Sequence, residues 1–322
     1  MNLISRSLLA IAAATASFGV FAQAWPAKAI RIVVPFPPGG GTDIIARETS
    51  QKVAAATGWT FVIDNKPGAG GNLGVDAVAK SPADGYTIVL GQTSNLAINP
   101  TLYSKLPYDP QKDLAPIVLL ADAPLVMVTG ANSPYKTLAD ALNAAKAKPG
   151  IVNFASPGNG TVAHLSSELL QKVAGVKTQH VPYKGANQAL TDVISGNVEL
   201  YMSSVPTLLG QIQQGKLRAL AVTSDKRVDD LPNVPTVNES GYKGFSAVTW
   251  FGLLAPASTP KDIVARLNAE FNKALQQPAL RKKLGDEGAD PVGGTPERFA
   301  LLIKDDITRW GKIVKDSGVK VD

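Results

Sequence analysis

One junction occurs twice in this chain, and the duplication constrains the fold more than any other feature. "IRIVVPFPPGGGTDIIARETSQKVAAATG" begins at Ile30, and "GIVNFASPGNGTVAHLSSELLQKVAGV" begins at Gly150. Pro38-Gly39-Gly40-Gly41-Thr42 corresponds to Pro157-Gly158-Asn159-Gly160-Thr161, and Gln51-Lys52-Val53-Ala54 to Gln171-Lys172-Val173-Ala174. The order then continues. Lys66-Pro67-Gly68-Ala69 faces Lys184-Gly185-Ala186, and "DGYTIVLGQTSN" (Asp84–Asn95) faces "SGNVELYMSSV" (Ser195–Val205). Each copy reads strand, glycine loop, helix, strand, loop, helix, strand. Strands alternating with helices at this spacing predict βαβ units with parallel strands, and hence two similar α/β lobes.

A strand that passes through glycines into a helix has two readings. The first turn of a helix presents unpaired N–H groups and a partial positive charge, so a loop without side chains lets an anion reach the backbone. Alternatively, the glycines only permit a tight turn, with Thr42 or Asp43 capping the helix. The presence of two such loops in equivalent places favours one ligand held between opposed helix ends. Neither loop continues into Gly-Lys-Ser/Thr, so neither is a Walker motif. "GAGGNLG" (Gly68–Gly74) has Leu73 where the third glycine of a dinucleotide fingerprint belongs, and Pro67 interrupts the strand-to-turn passage that the fingerprint needs.

Hydrolytic and metal chemistry find little support. No G-x-S-x-G occurs, cysteine is absent, and His164 and His180 are the only histidines. His164 follows the second glycine loop, where it either faces the cleft or makes a local first-turn hydrogen bond; His180 reads as structural. Asp43 and Glu48 diverge on a helix and make a poor acid pair. No cofactor and no metal are expected.

Met1–Arg6 holds one charge, Ser7 to Phe21 is mostly apolar, and Ala22-Gln23-Ala24 forms an A-x-A site before Trp25-Pro26. This reads as a secretory signal peptide over 1–24, cleaved after Ala24, with the mature protein in the periplasm. Removing 24 of the 322 residues leaves 298, enough for about two domains. Apolar residues make up 45% and charged residues 18% of the chain, enough for well-buried cores. The net charge of +6 is scattered, and Arg281-Lys282-Lys283 reads as a solvated helix face, so a nucleic-acid partner is not expected. Near the C-terminus, Thr259-Pro260 and Thr295-Pro296 each look like a cap followed by a first-turn proline.

The motifs "WPAKAIRIVVPFPPGGGTD", "NKPGAGGNLG", "SPADGYTIVLG", "FASPGNGT", "VPYKGANQAL" and "FGLLAPASTP" run in order through the chain. With the leader, they make it resemble the Bug family, the extracytoplasmic solute-binding proteins of tripartite tricarboxylate transporters. The resemblance implies a two-lobed periplasmic-binding-protein fold with a hinge of two chain crossings. It implies a small carboxylate as ligand: a dicarboxylate, tricarboxylate, acidic amino acid or aromatic acid. Membrane transporter subunits are the implied partners, and the protein is expected to be a monomer and not an enzyme. Carried over residue by residue, the site is Phe36, Pro38, Gly39, Gly40, Gly41, Thr42 and Asp43 in one lobe and Ser156, Gly158, Asn159, Gly160 and Thr161 in the other. The strand-end hydroxyls Thr93, Ser94, Ser203 and Ser204 are further candidates, as is His164, while Tyr183, Phe36 and Trp250 offer aromatic faces. Lobe 1 is expected over 25–124 plus 250–322, and lobe 2 over 125–249. Two rival functions share these residues: a secreted α/β enzyme using His164 with Asp43 or a serine, and a ligand-sensing partner of a signalling receptor.

Overall fold

A computed structural model describes residues 25–321; the expected signal peptide lies outside the described residues. β1 (Ile30–Val34) is an apolar run with four of its five residues buried, the mark of a strand covered on both faces. It leads through the first glycine loop into α1 (Gly41–Thr57), then β2 (Phe61–Asn65), α2 (Asn72–Ala79) and β3 (Thr87–Gln92). Both β2 and β3 lie parallel to β1, with Ile32 opposite Ile63 on one side and Ile88 on the other. After a π-helical turn (Ser94–Ile98) come α3 (Asn99–Leu102), the 17-residue β4 (Leu114–Gly130) and α4 (Leu138–Ala147).

The pattern then returns. β5 (Asn153–Ser156), α5 (Val162–Ala174), β6 (Gln179–Pro182), α6 (Ala186–Ile194) and β7 (Leu200–Ser204) repeat the first half, with β6 and β7 parallel to β5 on its two sides. α7 (Val205–Gln213), β8 (Leu217–Val222), β9 (Val248–Pro256), α8 (Lys261–Leu275), α9 (Pro278–Asp286), β10 (Asp290–Pro291) and α10 (Pro296–Ser317) complete the described chain.

The molecule is a two-lobed α/β structure, and β4 belongs to both lobes. From Leu114 to Pro124 it runs antiparallel to β9; from Leu125 onward it pairs antiparallel with β7 and β8. The first sheet reads β2-β1-β3-β9-β4-β10 and the second β6-β5-β7-β4-β8. The expectation of parallel sheets therefore holds only for the three strands of each repeat. A parallel neighbour needs a helical crossover on the same sheet. β9 and β4 arrive from the other lobe without one, and so run the opposite way.

α10 buries Phe299, Ile303, Trp310 and Val314 on one stripe, along with Asp306, whose carboxylate accepts the Trp250 indole N–H at 2.7 Å. Thr295 caps this helix as expected, accepting the Arg298 N–H at 3.3 Å with Pro296 behind it. The matching start at Thr259 differs. The Thr259 N–H closes a turn onto Pro256, Pro260 takes the cap position, and α8 begins one residue later.

Candidate functional site

Both glycine loops leave the carboxyl ends of strands, where ligand crevices form in α/β sheets. In the first loop Gly40 occupies the N-cap with φ −85° and ψ 167°, and no side chain caps the helix. The expected cap, Asp43, works underneath instead: its carboxylate accepts the Gly39 N–H at 3.0 Å, Asn65 Nδ2 at 2.9 Å and Arg47 Nε at 2.9 Å. Asn65 also donates to the Phe36 carbonyl at 3.0 Å, which ties the loop to β2. Burial raises the Asp43 pKa, but the Arg47, Gly39 and Asn65 bonds outweigh it and hold the carboxyl below its ordinary value. Asp43 therefore shapes the loop, and the helix end stays open for another acceptor.

Across the cleft, the Gly41 N–H donates to Thr207 Oγ1 at 3.0 Å, and that hydroxyl bonds Ser204 Oγ, also at 3.0 Å. A Cβ on Gly41 would lie 2.7 Å from Ser204 Oγ. The close neighbour at this glycine is thus the protein's own opposite wall. The next N–H, that of Thr42, has no i−4 carbonyl to bond.

The second loop is capped by Thr161, whose hydroxyl accepts the His164 N–H at 3.3 Å and donates to the Gly158 carbonyl at 2.8 Å. His164 Nδ1 accepts the Gly160 N–H at 3.3 Å, and its ring stacks on His180 with centroids 3.9 Å apart. His180 Nε2 in turn lies 2.7 Å from Ser156 Oγ. Burial, with the second ring beside it, drives the His164 pKa down to about 3, and burial lowers His180 to about 4. The pair is a neutral brace beneath the loop. At the start of α5 the Val162 and Ala163 N–H groups lack helical acceptors.

Between the two helix ends lies an inner chamber of about 60 Å³. Eight of the expected residues line it: Phe36, Gly40, Gly41, Thr42, Ser94, Thr161, Ser203 and Ser204. Gly158, Asn159 and Tyr183 instead line an adjoining outer chamber. Pro38, Gly39, Asp43, Thr93, Ser156, Gly160 and His164 line neither. Each has other work: Thr93 Oγ1 accepts the Trp250 N–H at 3.0 Å, the Pro38 carbonyl accepts Asn187 Nδ2 at 3.2 Å, and Ser156 serves the histidine brace. Trp250 is buried against Phe299 and lines neither chamber. His164 and Asp43, paired in the enzyme reading, are bonded to different partners in different lobes, and Ser156 is fully buried.

Val162, Ala163, Gly185, Ala186, Gln92, Leu125, Thr207, Thr249 and Phe251 also form the inner wall and were not among the residues expected from the sequence. The first two follow from the helix-end argument, since they hold the first amides of α5. Leu125, Thr249 and Phe251 reach the chamber on β4 and on the chain of β9, Gln92 at the end of β3 and Thr207 in the first turn of α7, placements that no local pattern signals. Ser94 Oγ is buried in this wall with no hydrogen-bond partner among the described residues. The lining contains hydroxyls, one amide side chain, apolar groups and the N-terminal residues of four helices, those of α1 and α5 and also Gly185-Ala186 of α6 and Ser204 at the cap of α7, and no Asp, Glu, Lys, Arg or His. Such a chamber accepts negative charge through amides and hydroxyls. Among the described residues, no group of three His, Asp or Glu comes together as a metal would require.

Comparison with known proteins gives one consistent result. Residues 45–319 match the profile of the tripartite tricarboxylate transporter family receptor, TctC. Protein BugT of Bordetella pertussis is 40% identical over 312 residues, which is 97% of this chain and 96% of that protein. A solved R. palustris protein with adipate superposes with a TM-score of 0.90 at 35% identity, over 92% of this chain and 99% of that one. MatC of Rhodopseudomonas palustris with bound malate gives 0.85 at 33% identity, over 90% of this chain and all of that one.

Proposed function

Because the chain belongs to the tripartite tricarboxylate transporter receptor family, we propose that it is an exported solute-binding protein that captures a small carboxylate and delivers it to the membrane subunits of such a transporter. One observation carries the ligand class. Two helix N-termini from different lobes converge on a chamber whose lining has hydroxyls and free amides but no ionisable side chain. A carboxylate there gains charge-assisted hydrogen bonds, each contributing about 1.5–3 kcal/mol. An ammonium or a neutral apolar solute would leave those donors unpaired. The adipate and malate held by relatives support the same class.

The lobes are taken as 25–124 with 250–322, and 125–249. The change of partner along β4 at Pro124 and Leu125 supports this division, and the hinge lies where β4 and the segment entering β9 cross. The protein acts as a monomer in the periplasm after cleavage behind Ala24. No helix among the described residues is long and apolar enough to cross a membrane.

The test is a thermal-shift screen of the purified protein against aliphatic and aromatic carboxylates, with matched amines and neutral amides as controls. A ligand at about 100 times its Kd stabilises by about 2.7 kcal/mol, a readily measured shift. Stabilisation by carboxylates alone is expected. Stabilisation by the amines, or by none of the acids, would overturn the reading. N-terminal sequencing of the periplasmic fraction tests the cleavage site, with Trp25 expected first.

A further inference from the structure

The inner chamber opens into a larger space. Phe36, Pro37, Pro157, Thr161 and Gly185 line it and also the outer chamber of about 550 Å³. Across this shared wall the chemistry changes. Lys184 is the only Lys, Arg, Asp, Glu or His in the outer lining, and it adjoins Gly185, which belongs to both chambers. No carboxylate among the described residues lies within ion-pair distance of it. The Gly68–Gly71 turn also lines this chamber. Within that turn Ala69 sits at φ +48°, the single non-glycine residue with positive φ among those described.

We infer that Lys184 sets the specificity for the far end of the ligand, by pairing with a second anionic group where the ligand carries one. The inference rests on the carboxylate reading above. A chamber of about 60 Å³ holds one carboxylate and its nearest carbons, so the remainder of any longer acid must pass the shared wall. A second anion there meets one cation and no competing acid. An apolar tail would rest on Phe36, Tyr103, Tyr183 and the prolines of the same lining and gain nothing from Lys184, so Lys184 discriminates only through an anionic far group. A lysine that only steered anions inward would act on the association rate; one that holds the far group acts on dissociation.

Lys184 is exposed, so Lys184→Met is expected to fold normally. Wild type and K184M are compared by calorimetry and stopped-flow with succinate, glutarate and adipate, and with the monoamide of each. We expect wild type to prefer the best-bound diacid over its monoamide about fivefold, mostly through slower dissociation, and the preference to shrink at high salt. In K184M the preference should vanish while monoamide affinity stays unchanged. Equal diacid preference in both proteins overturns the inference and leaves the carboxylate reading standing. Absence of binding by every acid overturns both.

Discussion

Gly40 and Gly41 stand side by side for different reasons. Gly41 is crowded by Ser204 and Thr207 of the opposite lobe, whereas a Cβ on Gly40 would meet nothing nearer than Pro37 O at 3.9 Å and Ala186 at 4.0 Å. The Gly40 backbone, at φ −85°, suits any residue. Gly40→Val is therefore expected to cost the free protein only the preference for glycine over valine at an N-cap, under about 1 kcal/mol, while its side chain occupies the inner chamber. Carboxylate affinity should fall at least tenfold; calorimetry showing wild-type affinity would mean that nothing approaches the backbone there. Thr161 behaves in the opposite manner. Its hydroxyl is engaged twice within its own loop, so Thr161→Val loses an N-cap worth about 1 kcal/mol. Chemical denaturation of the free protein should reveal that loss. Unchanged stability with weakened binding would show that the hydroxyl serves the ligand instead. The glycine loops were legible in the sequence because their chemistry is local. Thr207 was not, since its role appears only when a residue 166 positions away is brought beside it.

Among the elements, the histidine brace between α5 and β6 makes a prediction about pH. Both rings have folded pKa values below the usual 6.5, about 3 and about 4. The unfolded chain therefore takes up protons first as pH falls. The brace's contribution is fully present above about pH 6.5 and is lost on acidification towards pH 4, at up to about 1.4 kcal/mol per pH unit for each ring. Asp122 on β4 opposes this. Burial, with Asp290 and Asp306 nearby, raises its pKa to about 6, so its contribution is present below about pH 4 and lost as pH rises through 6. The informative quantity is thus a difference between proteins. His180→Phe keeps an aromatic ring on His164 and removes one titrating group. Urea unfolding between pH 7 and pH 5 should show a shallower loss of stability in the variant than in wild type; parallel curves would mean that His180 is protonated equally in both states. The repeat unit itself was readable, because hydrophobic runs and glycine punctuation are properties of adjacent residues. The antiparallel entry of β9 and the failed cap at Thr259 were not, since both depend on where distant chain arrives.

Over the whole molecule, the opposing walls touch around the chamber. Thr207 receives Gly41, Asn187 donates to Pro38, and a Cβ on Gly185 would lie 2.7 Å from Pro37. These contacts join parts of the two proposed lobes, so a ligand that bridges the same two helix ends adds to them only when the cleft is shut. It must then shift the population towards the closed form. Small-angle scattering should give a smaller radius of gyration with saturating ligand than without, and Thr207→Val should enlarge the ligand-free value or leave it unchanged. Superimposable wild-type curves would place the ligand on one wall only.

The sharing of β4 by two sheets has a further consequence for the order in which such a chain is completed as it emerges N-terminus first. The strands of the second sheet, β4 to β8, follow one another without interruption, so that half has all its strands once residue 222 has appeared. The first sheet begins earlier but keeps β3 with an open edge until β9 arrives after residue 247. The half that starts first must finish last, with an unpaired strand exposed throughout the interval. Such an edge invites pairing with other chains. A protein shortened to end at Ser246 would keep that edge permanently and lose α10, whose Trp310 and Phe299 are both buried in the core. The last quarter of the chain is therefore what turns the first quarter into a stable object.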